Sequence, residues 1–231
     1  MRAIFLFAFF VSLSTISVGQ DTVSVVQKAG KNITARYRVL KNKPDVKAGL
    51  YQLAGKKNNA IAFGVYNNNK RAGIWRFFDD QSKLMQVFDY NTDTLKYEAP
   101  EGESTTFNYV FDKKITRADL VTKPVRIGGR YYGYLPYLNL FEKPADLFDA
   151  PNSNIRVNIE LLISPYGRLA DFTYHVMIGS YARDLNVNIN VMNDEDKTFI
   201  PGTINGEAVP TRIFIKCVVK DKHTLELISP I

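Results

Sequence analysis

The chain of 231 residues contains only one cysteine, two histidines and one tryptophan. Because Cys217 is the single cysteine, an internal disulfide is excluded. Strand-like alternation places Cys217 on one face with Ile213 and Ile215, which indicates a buried thiol that packs as a small apolar side chain. A nucleophilic cysteine needs a histidine partner, and the chain offers only His175 and His223. Cysteine catalysis is therefore not expected.

The chain also lacks a dense run of one charge. Its 30 basic and 23 acidic residues give a formal net charge of +7 that is spread along the whole sequence. Nucleic-acid binding normally concentrates Lys and Arg on one face or tail, so we expect a solvated basic surface and no nucleic-acid partner. A weak attraction to an anionic membrane or cell-wall polymer is the alternative. The densest basic stretch is loosely spaced and consists of Lys41, Lys43, Lys47, Lys56 and Lys57.

Long apolar runs occur only at the start of the chain. Arg2 precedes the apolar residues 3–11, and Ser17 and Gly19 supply the small side chains that a signal peptidase recognises. The pattern predicts a signal peptide over residues 1–19, cleaved before Gln20, and a periplasmic protein. An uncleaved anchor is the alternative, but the apolar run is shorter than the roughly 20 residues that a spanning helix needs. No cysteine lies near the cleavage site, so a lipoprotein is not expected.

Sequence motifs of catalysis are missing as well. Gly128-Gly129 lacks Walker spacing, and the chain contains neither G-x-G-x-x-G nor G-x-S-x-G. No residues have the spacing of a metal-ligand cluster. We therefore expect no cofactor, no metal and no enzymatic activity. The competing hypothesis is an envelope hydrolase that uses His175, Asp171 and a serine, but an even spacing on a predicted strand is typical of a polar strand face.

The chain is rich in aromatic side chains. Fifteen Phe and thirteen Tyr indicate more strand than helix. Residues 47–51 (Lys-Ala-Gly-Leu-Tyr) recur as residues 71–75 (Arg-Ala-Gly-Ile-Trp), and such a period indicates stacked supersecondary units. Alternation over residues 61–65, an Asn-rich turn and extended runs over residues 73–78 and 84–90 predict a β-meander of short hairpins.

Residues 65–90 contain the pattern Tyr-x-x-Asn-Lys-x-x-Gly-x-Trp-x-Phe-Phe-Asp and a closing Tyr. This pattern resembles the MORN-type repeats of exported bacterial proteins, with Asn69 and Ser82 where those repeats usually have Gly. Asn69 can adopt the left-handed conformation of the turn, whereas Ser82 departs further. The resemblance implies a repeat-built sheet of a kind associated with membranes, proteins and scaffolding. Within it we expect Trp75 in the core of the repeat, with a ligand platform as the alternative.

The last third of the chain has the most specific order of elements. Alternation over residues 155–163 predicts a half-buried strand, residues 164–167 (Ser-Pro-Tyr-Gly) predict a tight turn, and residues 169–176 predict an antiparallel return strand. Residues 184–193 support two interpretations. They alternate like a strand, and their β-branched side chains favour one, but they also contribute to an apolar helical face.

A distinctive turn motif follows. Phe199-x-Pro201-Gly202, then Asn205-Gly206 and a strand over residues 212–219, resemble the signature of TonB C-terminal domains. The resemblance covers roughly residues 127–219 and implies two helices packed against a three-stranded antiparallel sheet. On this basis we expect helices within residues 131–141 and over residues 184–193.

The expected fold class is therefore α+β, with a β-meander of MORN-like repeats followed by a TonB C-terminal-like domain of three antiparallel strands and about two helices. The expected boundaries are a signal peptide over residues 1–19, the MORN-like module over residues 20–98, a linker or docking segment over residues 99–126 and the TonB-like domain over residues 127–231.

These resemblances imply a binding role. TonB C-terminal domains hold an extended peptide of an outer-membrane transporter by adding a strand to a sheet edge, but this chain lacks TonB's long Pro-rich linker. We therefore expect a non-enzymatic periplasmic binding or adaptor protein of the bacterial cell envelope. Its expected partner is an envelope protein or peptide, such as an outer-membrane protein; a module that binds peptidoglycan or an anionic membrane surface is the alternative. The candidate partner-binding residues are Trp75, Tyr131, Tyr132, Arg212 and Phe214.

Overall fold

The computed structural model describes residues 21–30, 32–102 and 106–228. The predicted signal peptide over residues 1–19 and its cleavage site before Gln20 lie outside the described residues. Strands make up 55% of the chain and helical segments 12%, so the protein is mostly β. Within the described residues, no helix has both the length and the apolar character needed to cross a membrane.

The first sheet is a meander of seven antiparallel strands that neighbour one another in chain order. Asparagines in its tight turns adopt positive φ, as at Asn68 (48°) and Asn69 (65°), which Asn tolerates better than most residues. The strands are β1 (Thr22–Gly30), β2 (Ile33–Leu40), β3 (Lys43–Ala54), β4 (Ala60–Asn67), β5 (Lys70–Phe78), β6 (Leu84–Asp89) and β7 (Thr94–Glu98).

Aromatic side chains form the core of the first sheet. The Trp75 indole is completely buried, and its ring centroid lies 5.5 Å from that of Tyr51 and 5.2 Å from that of Tyr66. Trp75 Nε1 donates a hydrogen bond to the Val65 carbonyl at 3.1 Å. The ring packs directly on Gly64, where an added Cβ would lie 2.2 Å from the indole. The glycine therefore makes room for the tryptophan across the β4–β5 pair.

The second sheet contains six strands. Its order is β13-β12-β11-β17-β18, and β8 also pairs with β17. Two small sheets are separate from it: β10 pairs with β14, and β15 pairs with β16 on one side and with β9 on the other. The elements are β8 (Phe107–Phe111), β9 (Val121–Thr122), β10 (Val125–Arg126), α1 (Leu135–Asn139), β11 (Arg156–Ile163), β12 (Leu169–Ile178), β13 (Tyr181–Asn186), β14 (Phe199–Ile200), β15 (Thr203–Ile204), β16 (Glu207–Ala208), β17 (Thr211–Asp221) and β18 (Thr224–Leu227).

Alternation along the strands builds the core of the second sheet. In β11 every second side chain, from Val157 to Ile163, is fully buried, because successive side chains of a strand point to opposite faces. The helix α1 contributes Tyr137 to the same core, and Phe141 follows it there. The Tyr174 hydroxyl donates to the Tyr137 carbonyl at 2.6 Å, so the helix is tied to β12 by a buried hydrogen bond.

The expected α+β class, with two helices on a three-stranded sheet, is wrong. Residues 184–193 do not form a helix: β13 (Tyr181–Asn186) pairs with β12, and short 3-10 turns follow. The expected first helix is reduced to the five residues of α1, the one α-helix of the described residues. The physical reason is that β-branched and Asn residues favour extended structure, and the turn at Gly179 brings the segment beside β12.

The last long strand offers no free edge for strand addition. β17 pairs with β11 along one side from Thr211 to Val218. On its other side it pairs with β8 over residues 211–215 and with β18 over residues 217–221. A partner strand could therefore bind beside β17 only by displacing strands of the chain itself.

The Gln86 side chain joins the two sheets at their contact. It is fully buried on β6. Its Oε1 accepts the backbone N–H groups of Gly128 at 2.6 Å and Gly129 at 3.1 Å. Its Nε2 donates to Glu98 Oε2 at 2.6 Å and to the Arg126 carbonyl at 3.0 Å. One amide of the first sheet thus satisfies three backbone groups of residues 126–129 and also binds the Glu98 carboxylate of β7.

The two glycines allow this turn to form. Gly128 and Gly129 have φ of +114° and +71°, a region that other residues avoid. An added Cβ on Gly128 would lie 2.9 Å from the Gly133 Cα. The glycine pair is therefore a structural turn whose N–H groups are occupied by a protein side chain.

Replacing Gln86 with Ala should destabilise the fold, because the buried Gly128 N–H loses its acceptor and the Gly129 N–H keeps only the Arg126 carbonyl at 3.2 Å. An unsatisfied buried group costs about 1–3 kcal/mol, and the cavity left by the side chain adds to this, so we expect the free energy of unfolding in urea to fall by about 2–4 kcal/mol. Gln52→Ala, on the exposed face of β3, is the control and should change it by less than about 0.5 kcal/mol. Equal losses in both variants would contradict this role.

Candidate functional site

A cleft of about 930 Å³ lies between one end of the first sheet and the β17–β18 hairpin. We call it the inter-sheet cleft. Successive turns of a meander alternate between the two ends of the sheet, so the β1–β2, β3–β4 and β5–β6 turns meet at this end and line it. Tyr131 and α1 lie between the two walls. Such junctions between packed units are common places for binding sites.

Local hydrogen bonds fix the turns of the first sheet, which form one wall of the cleft; the β17–β18 hairpin forms the opposite wall. Asp79 Oδ1 accepts the backbone N–H groups of Gln81 at 2.9 Å and Lys83 at 2.8 Å, which closes the β5–β6 turn in the manner of an Asx turn. Asn59 Nδ2 donates to the Asp80 carbonyl at 2.9 Å. This bond ties the β3–β4 turn to the β5–β6 turn, so the two turns form one surface.

Apolar side chains cover the base of the cleft. They come from both sheets and from α1, so none of these elements could form the surface alone. Ile61, Leu138 and Leu225 are already buried. The partly exposed Ile33, Leu135 and Leu227 could be buried further by a ligand, which is favourable at about 25 cal/mol per Å² of apolar surface. The residues are Ile33, Ile61, Leu135, Leu138, Leu225 and Leu227.

The rim of the cleft carries charges of both signs. Lys56, Lys57 and Lys83 line the turns, and none of the three has an ion-pair partner in the described part of the chain. On the opposite wall, Lys220 forms an ion pair with Glu226. A ligand with polar groups on one side and apolar groups on the other would therefore match the rim and the base together.

Tyr131 remains a neutral hydrogen-bonding group at this site. Burial raises the pKa of Tyr131 above its ordinary value of 10.0, and the nearby negative charges of Asp80, Glu226 and Asp79 raise it further. Its hydroxyl therefore keeps its proton at physiological pH and can donate a hydrogen bond to a ligand.

A second connection between the sheets is formed around Arg71, near the start of β5. Its guanidinium lies 5.0 Å from the Trp75 ring centroid and 5.5 Å from that of Tyr132. It donates to the Tyr90 hydroxyl at 2.7 Å and the Tyr132 hydroxyl at 2.9 Å, and forms an ion pair with Glu195 at 3.3 Å. Among the buried side-chain nitrogen and oxygen atoms of the described residues, Arg71 Nε alone has no hydrogen-bond partner. These contacts connect β5 of the first sheet to segments of the second.

The five residues predicted to bind a partner lie in three places. Trp75 and Tyr132 come together around Arg71, and Trp75 has no exposed surface. Tyr131 lines the inter-sheet cleft. Arg212 and Phe214 lie on the outer face of β17, where both are partly exposed.

The residues that sequence reasoning missed are those of the turns and of the β17–β18 hairpin. Lys83, Leu225 and Leu227 are far from Tyr131 in the sequence, and no motif connects them. The signal that could have found part of the site is the meander itself, since alternate turns of a predicted meander share one end of the sheet. The hairpin on the opposite wall depends on tertiary packing.

His175 belongs to a row of charged side chains across the outer face of the second sheet. Its Nδ1 lies 2.7 Å from Asp184 Oδ1 and its Nε2 lies 2.8 Å from Glu160 Oε2. Glu160 Oε1 is 2.9 Å from Arg212 Nε, and Arg212 Nη1 is 2.5 Å from Asp112 Oδ1. Both ring nitrogens of His175 are thus engaged with carboxylates, an arrangement that favours the imidazolium over a general base.

The pKa of His175 reflects this pairing. Partial burial lowers it, but the hydrogen bonds to Asp184 and Glu160 and their negative charges outweigh burial, so the pKa is raised above 6.5. Asp171, which the hydrolase hypothesis pairs with His175, instead lies opposite Leu162 in the β11–β12 ladder.

Comparison of the chain with protein-family models, with curated proteins and with solved structures finds no match in any of the three. The resemblances to MORN-type repeats and to TonB C-terminal domains therefore stay sequence-based predictions.

Replacing Arg71 with Met should weaken the contact between the sheets, because two hydrogen bonds and the cation–π contacts are lost. We expect the free energy of unfolding to fall by about 2–4 kcal/mol and the emission of Trp75, the only tryptophan, to shift in the folded state. Arg76→Met, on the exposed face of the same strand, is the control. An unchanged emission spectrum together with equal stability of the two variants would argue against a connection between the sheets through Arg71.

Replacing His175 with Gln should cost more stability at low pH than at high pH. A histidine whose pKa is raised on folding stabilises the fold below its unfolded value of 6.5, and this contribution is lost as the pH rises through the folded value. We therefore expect the difference in unfolding free energy between the wild type and His175→Gln to be larger at about pH 5.5 than at about pH 9. Asp171→Asn, on the same strand, is the control and should not show this pH dependence. If the stability lost in His175→Gln instead grew with pH, the pairing of His175 with Asp184 and Glu160 would be contradicted.

Proposed function

We propose that this protein is a non-enzymatic binding or adaptor protein of the cell envelope that holds an extended polypeptide segment in the inter-sheet cleft. The observation that carries the proposal is the combination of an apolar base and a rim of both charge signs in one cleft of about 930 Å³. Its walls come from both sheets, so the binding surface exists only in the assembled fold.

The shape and chemistry of the cleft suit an extended polypeptide. Its volume is near the upper end of the roughly 300–1,000 Å³ of small-molecule sites. Alternate side chains of an extended chain point to opposite sides. One set can therefore lie on Leu135 and Leu227, while the other reaches Lys83 and Glu226 at the rim.

The chemistry of the two groups considered for catalysis supports binding over an envelope hydrolase. Cys217 is 1% exposed, and burial raises the pKa of its thiol to about 12, so it is protonated and inaccessible. His175 is held between two carboxylates. Within residues 21–30, 32–102 and 106–228, no three His, Cys, Asp or Glu side chains are grouped to hold a metal ion.

The mode of binding differs from the strand addition that the TonB resemblance implies. β17, the strand at the corresponding place, is paired on both sides. The predicted signal peptide over residues 1–19 supports a periplasmic location, where segments of envelope and outer-membrane proteins are accessible partners.

A second candidate function is binding to peptidoglycan or an anionic membrane surface. It is favoured by Lys56, Lys57 and Lys83, three lysines without ion-pair partners among the described residues, which lie on neighbouring turns. Such a contact would be weakened by salt, because exposed charges are screened within about 10 Å at 0.1 M ionic strength.

Selection of displayed peptides on the purified protein, followed by calorimetric titration with the selected peptides, tests the cleft. Tyr131→Ala and Leu227→Asp should each raise the dissociation constant at least about tenfold, since loss of one buried apolar contact is worth about 1.4 kcal/mol or more. Leu50→Asp is the control, because this exposed leucine of β3 lies outside the cleft. Failure to select any peptide, or equal weakening in all three variants, would refute the proposal.

The same preparations separate the two candidate functions. Sedimentation with peptidoglycan or with anionic vesicles is measured at low and high salt for the wild type and for a variant with Lys56, Lys57 and Lys83 changed to Gln. Salt-sensitive sedimentation that is lost in this variant, together with no peptide binding, would favour the surface-binding alternative.

A further inference from the structure

The strand β1 forms one side of the first sheet. It has nine residues, whereas the other strands at open sides of the two large sheets have four to six: β7, β8, β13 and β18. Within the described residues only β2 pairs with it. β1 is therefore the longest open edge in this part of the chain, and it is separate from the inter-sheet cleft except where its last residues border the cleft.

The direction of the backbone groups of β1 follows from one hydrogen bond. The Lys41 N–H donates to the Asp21 carbonyl at 3.0 Å, so Asp21 and Lys41 form a hydrogen-bonded pair of the antiparallel ladder. Such pairs alternate along the ladder. The odd-numbered residues of β1 therefore direct their N–H and C=O groups at β2, and the even-numbered residues direct theirs at the open side.

Part of the open side is already occupied. Arg38 Nη2 donates to the Thr22 carbonyl at 3.1 Å, and Arg38 Nε donates to Thr22 Oγ1 at 2.7 Å. Beyond Thr22, the outward groups belong to Ser24, Val26 and Lys28. These three residues form the free part of the edge.

The strand is exposed on both faces. Seven of its nine residues are exposed, with Val26 at 68% and Val23 at 42%, and none of them belongs to either apolar core. A strand that buries so little apolar surface gains little from its own sheet, although its valines and threonine favour extended structure. Pairing on the open side would bury Val26 and satisfy the outward backbone groups.

Other edges carry features that discourage pairing. β13 presents Arg183, which lies 3.5 Å from Asp146, and Asp184, which binds His175. β7 has five residues, and Arg130 binds Glu98 at its end. Short length and charge are the usual protections of an edge strand. β1 has one charged residue, Lys28, and no proline.

We propose that β1 pairs antiparallel with the β1 strand of a second copy of this chain, centred on Val26. In this register Val26 faces Val26 of the second copy and Ser24 faces Lys28, so all three free outward residues of each copy are paired and like charges are not opposed. Each copy supplies the same row of groups, so the contact is isologous and closes at a dimer. The two meanders become one continuous sheet.

The mass of the purified protein in solution, measured over a range of concentrations, tests this dimer. The wild type should approach twice the monomer mass as the concentration rises. Val26→Pro removes an outward N–H and leaves the ladder to β2 intact, so it should raise the dimer dissociation constant at least about thirtyfold. Ala182→Pro is the matched control on the edge strand β13. The Val187 N–H donates to the Phe172 carbonyl of β12, and hydrogen-bonded pairs alternate along the ladder. The Ala182 N–H therefore points away from β12, so its loss leaves that ladder intact.

A second variant covers the case in which proline unfolds the strand. Cα atoms of a hydrogen-bonded antiparallel pair are about 5.5 Å apart, within the range of a disulfide, so Val26→Cys should give a cross-linked dimer on mild oxidation. Ala182→Cys should not, and the native Cys217 is buried. A wild type that stays monomeric at all concentrations, a dimer unchanged by Val26→Pro, or no cross-link through Cys at position 26 would each overturn the proposal.

Discussion

The buried amide of Gln86 is the interaction on which the arrangement of the two sheets depends. It accepts the N–H groups of both glycines of the Gly128-Gly129 turn, and the Gly128 N–H would otherwise be buried without an acceptor, which is costly. Arg126 continues the connection. Its guanidinium, almost fully buried, donates to the carbonyls of Gly133, Glu195 and Thr198 and pairs with Asp196. Polar satisfaction therefore acts together with apolar contacts, such as that of Phe77 with Tyr132, to determine how the sheets meet.

The inter-sheet cleft is a consequence of this connection. Because the turn leads directly into Tyr131 and α1, the same segment that joins the sheets also forms the base between the cleft walls. Arg71 adds a second tie through Tyr132 and Glu195, at the cost of one buried Nε without a partner. The two walls are thus held at a defined separation, which a preorganised binding surface requires.

Much of the local structure follows from sequence pattern, and the exceptions have a physical cause. The alternating residues 155–163 form β11 (Arg156–Ile163). Their pattern was readable because one face of this strand is buried and the other is not. Residues 184–193 carry the same kind of pattern, and the expectation of a helix there came from a resemblance that outweighed local propensity. The hairpin with β12 makes the residues up to Asn186 extended, and a 3-10 turn over Ile189–Val191 follows. Of the candidate site, only Tyr131 was identified, since contacts between distant hairpins leave no trace in local periodicity.

The sequence by itself determined that this is an aromatic, strand-rich chain with short Asn-rich turns, one thiol on a buried strand face and a predicted export signal. These properties depend on local conformational preference and on which side chains avoid water, and both act over a few residues. Only the tertiary structure decided that β8 and β18 cover the free side of β17, that Gln86 meets the glycine turn, and that three hairpin turns face the β17–β18 hairpin. Those contacts join residues far apart in the chain, so they depend on how whole sheets pack and on which buried polar groups find partners.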